Sequence, residues 1–207
     1  MAKARVYAPL RPVGYETKRN MSRDRFAELM EDAVIALPSD LKSLLRIIED
    51  PEVSEDSRIQ LAGALIHVLS RGSAVPGVRG SLQHVGSVLL CRLALEKATE
   101  TSPEAMATHM EAEPDLLGPL EEQLKVAREF LGEGMSILVD SAEKLNKLNF
   151  EGHSAEECAR EVDAGTWLYD AVHEALVEII DIDEDDVHRE LKDVGRIAKN
   201  LNARARK

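Results

Sequence analysis

At 207 residues with 44% hydrophobic side chains the chain can bury a sizeable core, which excludes a wholly disordered polypeptide. Its net charge of −12, from 38 acids against 26 cations, speaks against nucleic acid as a partner, because that binding depends on Lys and Arg neutralising phosphates. Aromatic residues are only 3%, while Ala, Leu, Glu and Val abound, so helices are favoured over sheets and an all-α helical bundle is expected.

In chain order, residues 1–21 contain Pro9, Pro12 and Gly14 without a sustained period and read as a basic arm. Ser22 then caps a helix whose apolar positions Phe26, Leu29, Met30, Ala33, Val34 and Leu37 follow the helical spacing of three and four, and Pro38 and Ser39 stop it. Leu41, Leu44, Leu45 and Ile48 mark a short second helix ending at "EDPEVSEDS". A third helix carries Ile59, Leu61, Ala62, Leu65, Ile66, Val68 and Leu69, apolar nearly all round, which implies deep burial. The turn "SRGSAVPGVRGS" (70–81) follows, and then a fourth helix with Leu82, Val85, Val88, Leu89, Leu93 and Ala94 inward. From Ser57 to Leu95 there is no Asp or Glu, as expected of a buried hairpin at the hub of an N-terminal helical part, 22–100. Its arginines Arg58, Arg71, Arg79 and Arg92 are expected to surface by extending their stems and to meet acids of flanking helices.

The second part, 102–207, opens at Ser102 and Pro103. A long helical stretch is expected through Leu120, Leu124, Ala127, Leu131, Leu138, Ala142, Leu145 and Leu148, bent at Gly132 and Gly134. "NFEGHSAEE" turns the chain, with Ser154 and Glu157 as a capping box. Leu168, Ala171, Val172, Ala175, Leu176 and Ile179 line the next helix, and Val187, Leu191, Val194, Ala198 and Leu201 a last one, which suits an antiparallel bundle packed on the first part.

The order "IEDPEVSEDSRIQLAGALIHVLSRGSAVPG" resembles the start of the YkvA-like family of small helical domains, in which a helix after Asp-Pro leads through Leu-Ser to a Pro-containing hairpin turn. Asp50, Pro51, Leu69, Ser70, Val75 and Pro76 carry the likeness within 47–95. The family's acidic residues at the turn and following helix have no counterparts, since Ser73, Gly77, Gly86 and Ser87 stand there. The resemblance implies a helical hairpin, and no activity is established for that family.

Charge is distributed unevenly. Residues 1–25 and 189–207 each hold seven Lys/Arg against two acids, whereas 26–188 hold 12 against 34. Gly80 and Ser81 precede a helix whose free N–H groups and positive dipole end suit an anion, with Arg71, Ser73, Arg79 and His84 nearby in sequence. No Gly-Lys-Ser/Thr is present, so this is not a nucleotide P-loop. Asp170-x-x-His173 and Asp185-x-x-His188, with Glu174, Glu178 and Asp181 close by, have the spacing of di-metal bundle ligands, but at 100° per residue Asp170 and His173 point away from the apolar face. Solvated faces are the better account, and no metal or cofactor is expected. Cys91 on the apolar hairpin reads as a small core residue, and Cys158 near Glu156, Glu157 and Glu161 lacks the cations that lower a thiol pKa.

Two cysteines make no disulfide framework, Met1 leads into charge with no apolar targeting segment, and apolar runs stop short of the roughly 18–20 residues of a membrane span. A reduced, cytoplasmic chain without an integral membrane segment is expected. The composite expectation is a non-enzymatic protein–protein interaction module, a regulatory subunit, inhibitor or adaptor whose acidic surface meets a basic partner or another copy. The alternatives are a ligand-binding protein or enzyme using the Arg71–Ser81 turn for an anion, and peripheral membrane contact through the basic termini.

Overall fold

In the computed structural model, which describes residues 13–178 and 182–206, helix α1 (Val13–Ile35) takes in residues 13–21 of the expected arm and runs straight through the Ser22 cap read from the sequence. The Ser22 hydroxyl lies within α1, buried and without a partner among the described residues. Residues 1–12 of the expected arm lie outside the described residues, as do Ile179 and Asp181. Pro38, expected to stop a helix, opens one: it sits in the first turn of α2 (Leu37–Glu49), joined to α1 by Ala36 alone, where its fixed φ and missing N–H suit a helix start.

Helix α3 (Glu55–Leu69) is capped by Ser54, whose hydroxyl accepts from the Ser57 N–H. Helix α4 (Ser81–Thr101) begins at Gly80 and Ser81 as the sequence indicates, and packs on α3 as the expected hairpin. Burial on nearly every side of both helices matches the all-round apolar pattern of α3 and the missing acids.

The remaining chain departs from long antiparallel helices. It runs through α5 (Pro103–Ala112), α6 (Pro114–Leu117), α7 (Leu120–Leu131), a 3₁₀ turn at Gly132–Gly134, α8 (Met135–Ala142) and a 3₁₀ turn at Leu145–Lys147. Then come β1 (Asn149–Phe150), β2 (His153–Ser154), α9 (Ala155–Arg160), α10 (Val162–Glu178), α11 (Glu184–Leu191) and α12 (Gly195–Ala205). The two strands form a minimal antiparallel ladder whose turn, Glu151 and Gly152, has positive φ at both residues (51° and 88°), a type I′ signature that the sequence reading passed over. Pro114 starts a new helix, and Gly132 ends α7 at φ 55°. Ser154 and Glu157 form the capping box at the start of α9.

Short helices with one apolar face cannot bury it among themselves, and the hairpin offers apolar surface all round. So α9 and the Leu145–Lys147 turn pack on α3, α7 and α8 pack on α4, and α1 holds α7 and α11. Buried residues before and after residue 101 form one continuous cluster, with Phe26 of α1 stacked on Phe130 of α7 at a centroid distance of 4.5 Å. Over 102–207 the helices thus pack around the hairpin, directly or through one another. Among the described residues no helix is long and apolar enough to cross a membrane.

One arginine corrects the expectation that all four would surface. Arg92 of α4 is 1% exposed; its Nη2 donates to Asp40 Oδ2 of α2 and its Nε to Gln123 Oε1 of α7, both at 2.6 Å. Asp40 is itself 3% exposed, and burial pushes its carboxyl above the usual range against the pull of Arg92. The stem of Arg92 is too deeply enclosed to reach water, so its counter-charge, Asp40, and the Gln123 amide come inward instead. Its Nη1 is without a partner among the described residues.

Candidate functional site

The basic turn between α3 and α4 is held by its backbone and by its own apolar residues. Ser70 caps α3, and Arg71 adopts a left-handed conformation at φ 52° so that Gly72 N–H can reach His67 O at 2.9 Å. Ala74, Val75 and Val78 then turn inward and are buried, while Gly77 and Gly80 supply positive φ at 75° and 62°. Ser73 Oγ donates to Val75 O at 2.9 Å, closing the turn on itself.

Two C-terminal helices fasten this turn from outside. Asn200 of α12 donates through Nδ2 to Pro76 O at 2.8 Å. Glu190 of α11 accepts through Oε2 from Ser81 N–H at 2.7 Å, at the first turn of α4, and a Cβ at Gly80 would lie 2.4 Å from that oxygen. The positive end of α4 therefore does hold an anion, and the anion is the protein's own carboxylate.

Around this contact Arg79, Gly80, Arg189, Glu190, Asp193 and Arg196 line an open cleft of about 630 Å³. Arg189 Nη2 pairs with Asp186 at 2.5 Å, and Arg196 Nε lies 3.6 Å from Asp193. Of the five residues picked from sequence, the fold brings Arg79 and Ser81 to this cleft and its carboxylate. His84 lies one turn into α4, where it senses the charge of Glu190. Arg71 is exposed and Ser73 is spent on the turn; neither lines the cleft. Sequence reasoning missed Arg189, Glu190, Asp193 and Arg196. The available signal was the basic run 189–207 together with a helix start that lacked any local acid.

One arginine in each basic end rests on an acid from a distant part of the chain. Arg25 Nη2 pairs with Glu122 at 2.5 Å, and Arg206 Nε lies 3.7 Å from Glu133. His173 is bound to its own helix, with Nδ1 at 2.9 Å from Tyr169 O, whereas His188 lies 3.0 Å from Glu31 of α1. Among the described residues no three His, Cys, Asp or Glu side chains gather as a metal centre requires. Burial pushes the Cys91 thiol up to about 12 and the Cys158 thiol up to about 11, so neither is a thiolate near neutral pH. No family model, curated protein or solved structure matches this chain.

Two histidines flank the turn, and burial holds both His67 and His84 below the ordinary value of 6.5, with Glu190 partly offsetting the effect at His84. His67 Nε2 is buried with no partner among the described residues. The unfolded chain therefore takes up protons first as pH falls, and stability is present above about 6.5 and lost progressively below it, by at most about 1.4 kcal/mol per pH unit for each histidine. Melting followed between pH 7.5 and 5 should show this loss, and His67→Gln should flatten it. An unaltered slope in that variant would assign the acid sensitivity elsewhere.

Proposed function

We propose that the chain is a non-enzymatic protein–protein interaction module, a regulatory subunit, inhibitor or adaptor, that offers an acidic surface to a basic partner. The observation that carries this reading is the sorting of charge: over residues 21–177 and 182–206 Asp40 is the one buried carboxylate, and the other acids there stay at or near the surface. Two unpaired, buried cysteines suit a reducing, cytoplasmic setting. In favour of an anionic ligand at the Arg71–Ser81 turn stand the three arginines of the cleft; against it stands the carboxylate of Glu190 already seated on Ser81. Peripheral membrane contact is weakened where the basic ends are already engaged by Glu122 and Glu133.

The test is affinity capture from native extract at about 50 and about 500 mM salt, where screening removes surface attraction. A stoichiometric protein of net positive charge, retained at low salt and released at high salt, is expected. Arg71→Gln combined with Arg79→Gln should leave that capture intact and cost no more than about 1 kcal/mol, as exposed charges do. Lost capture in a variant that melts like the parent would move the function to the turn.

A further inference from the structure

We propose that the solvent face of α10 and the cleft beside it form the docking site for a basic amphipathic helix of a partner protein; this rests on the interaction-module reading above. Leu168, Val172 and Ala175 turn the buried side of α10 to the core. About 130° round the helix from the centre of that side, at 100° per residue, Val162, Thr166, Tyr169, His173 and Val177 fall within an arc of about 80°. Val162 is 84% exposed, Tyr169 45% and Val177 85%, although nothing in the fold gains from leaving them in water. The stripe runs about 22 Å along the helix, the length of some four turns of a second helix laid beside it. The His173 ring lies beside that of Tyr169 at a centroid distance of 4.2 Å, tilted by 31°, so the two rings join as one patch at its middle.

At its first half the stripe borders a cleft of about 370 Å³, where Leu45 and Ile48 of α2 face Val162, Gly165 and Tyr169. Such a cleft takes one large apolar anchor side chain. Charge selects the rest of the occupant. Glu49 and Glu161 line the cleft, and Asp163, Asp170 and Glu174 follow the stripe along one flank at 80–120° from Val162. All five are exposed and make no ion pair with any described residue. Of the two cations lining the cleft, Arg160 pairs with Glu55 and Glu156, while Arg58 donates from Nη1 to Ala159 O at 3.3 Å and keeps its Nε without a partner among the described residues, so the acids outnumber the one unpaired cation. A second copy docking by the same face would bring five acids against five. A helix with an apolar face beside a Lys/Arg row satisfies both the stripe and its flank.

The direct probe is a fluorescent 15-residue amphipathic helix of Leu and Lys, titrated by anisotropy against the full chain. Reversing the flank with Asp163→Lys, Asp170→Lys and Glu174→Lys should weaken binding at least about tenfold. The same change of charge elsewhere, in Glu104→Lys, Glu111→Lys and Glu143→Lys, also exposed and unpaired, should weaken it less than about threefold. Val162→Ser with Val177→Ser should weaken it at least about fivefold with no change in melting, because both side chains are solvated. Equal losses in the two charge variants, or parental binding by the serine variant, overturn the proposal. So does sedimentation as a dimer that Val162→Ser and Val177→Ser dissolve, which would seat a second copy on the stripe. Repeating native capture with the flank variant separates the two levels. A basic partner retained despite the reversal refutes this face and leaves the module reading standing, whereas no protein captured by the unmodified chain refutes both.

Discussion

Asp40→Ala is expected to destabilise the protein by about 3–5 kcal/mol, because it leaves the guanidinium of Arg92 charged and enclosed with no counter-charge. Arg92 cannot escape by losing a proton, and at 1% exposure it has no route to water. For a chain of this size the melting temperature should drop by roughly 6–20 °C. Surface pairs such as Arg160–Glu55 sit in a different regime, worth about 0–1 kcal/mol each when removed. Replacing both partners, Asp40→Leu with Arg92→Met, should recover most of the loss, since an apolar pair of similar volume is often neutral against a buried ion pair. Thermal unfolding of the two single variants and the double variant closes the cycle. A single Asp40→Ala within about 1 kcal/mol of the parent would mean that water or a neighbouring group already shields Arg92.

Gly63→Ala and Gly195→Ala should move stability in opposite directions. Alanine in place of glycine favours a helix by about 1 kcal/mol, so propensity alone predicts a gain at both. At Gly63 of α3 a Cβ would stand 2.1 Å from the backbone oxygen and 2.5 Å from the backbone carbon of Leu145. A backbone cannot swing aside as a side-chain tip does, so α3 and the Leu145–Lys147 turn must separate, at a cost of roughly 1–3 kcal/mol or more that outweighs the propensity gain. At Gly195, in the first turn of α12, a Cβ meets nothing within 4 Å, and a gain of up to about 1 kcal/mol is expected. Denaturant unfolding of both variants decides it: a stabilised Gly63→Ala would show that the contact between α3 and the turn is loose.

The features that local chemistry controls were legible. The capping box of Ser154 and Glu157 needs only residues three apart, and the start of α4 follows from Gly80 and Ser81. The hairpin was readable because α3 is apolar on every side, a pattern that only burial explains. Pro38 departs from expectation for a local reason as well: proline that ends one helix can also open the next, because its missing N–H would be unpaired in the first turn anyway. The two-strand ladder was missed because its signal is a single Glu-Gly turn.

The candidate site was legible only in part. Arg79 and Ser81 could be chosen because a helix start with no local acid invites an anion, but Glu190, 109 residues along the chain, supplies it. Likewise Arg92 carries no sign of its burial, since Asp40 lies 52 residues before it and Gln123 lies 31 after. By itself the sequence determined the helical class, the apolar hairpin, the caps and the uneven charge, because propensity, period and net charge are properties of a few neighbouring residues or of a sum. The tertiary structure alone decided which helix covers which, that Arg92 goes inward, that Glu190 closes the turn and that Val162 and Val177 stay in water, because each is set by chain segments whose separation in space no local pattern encodes.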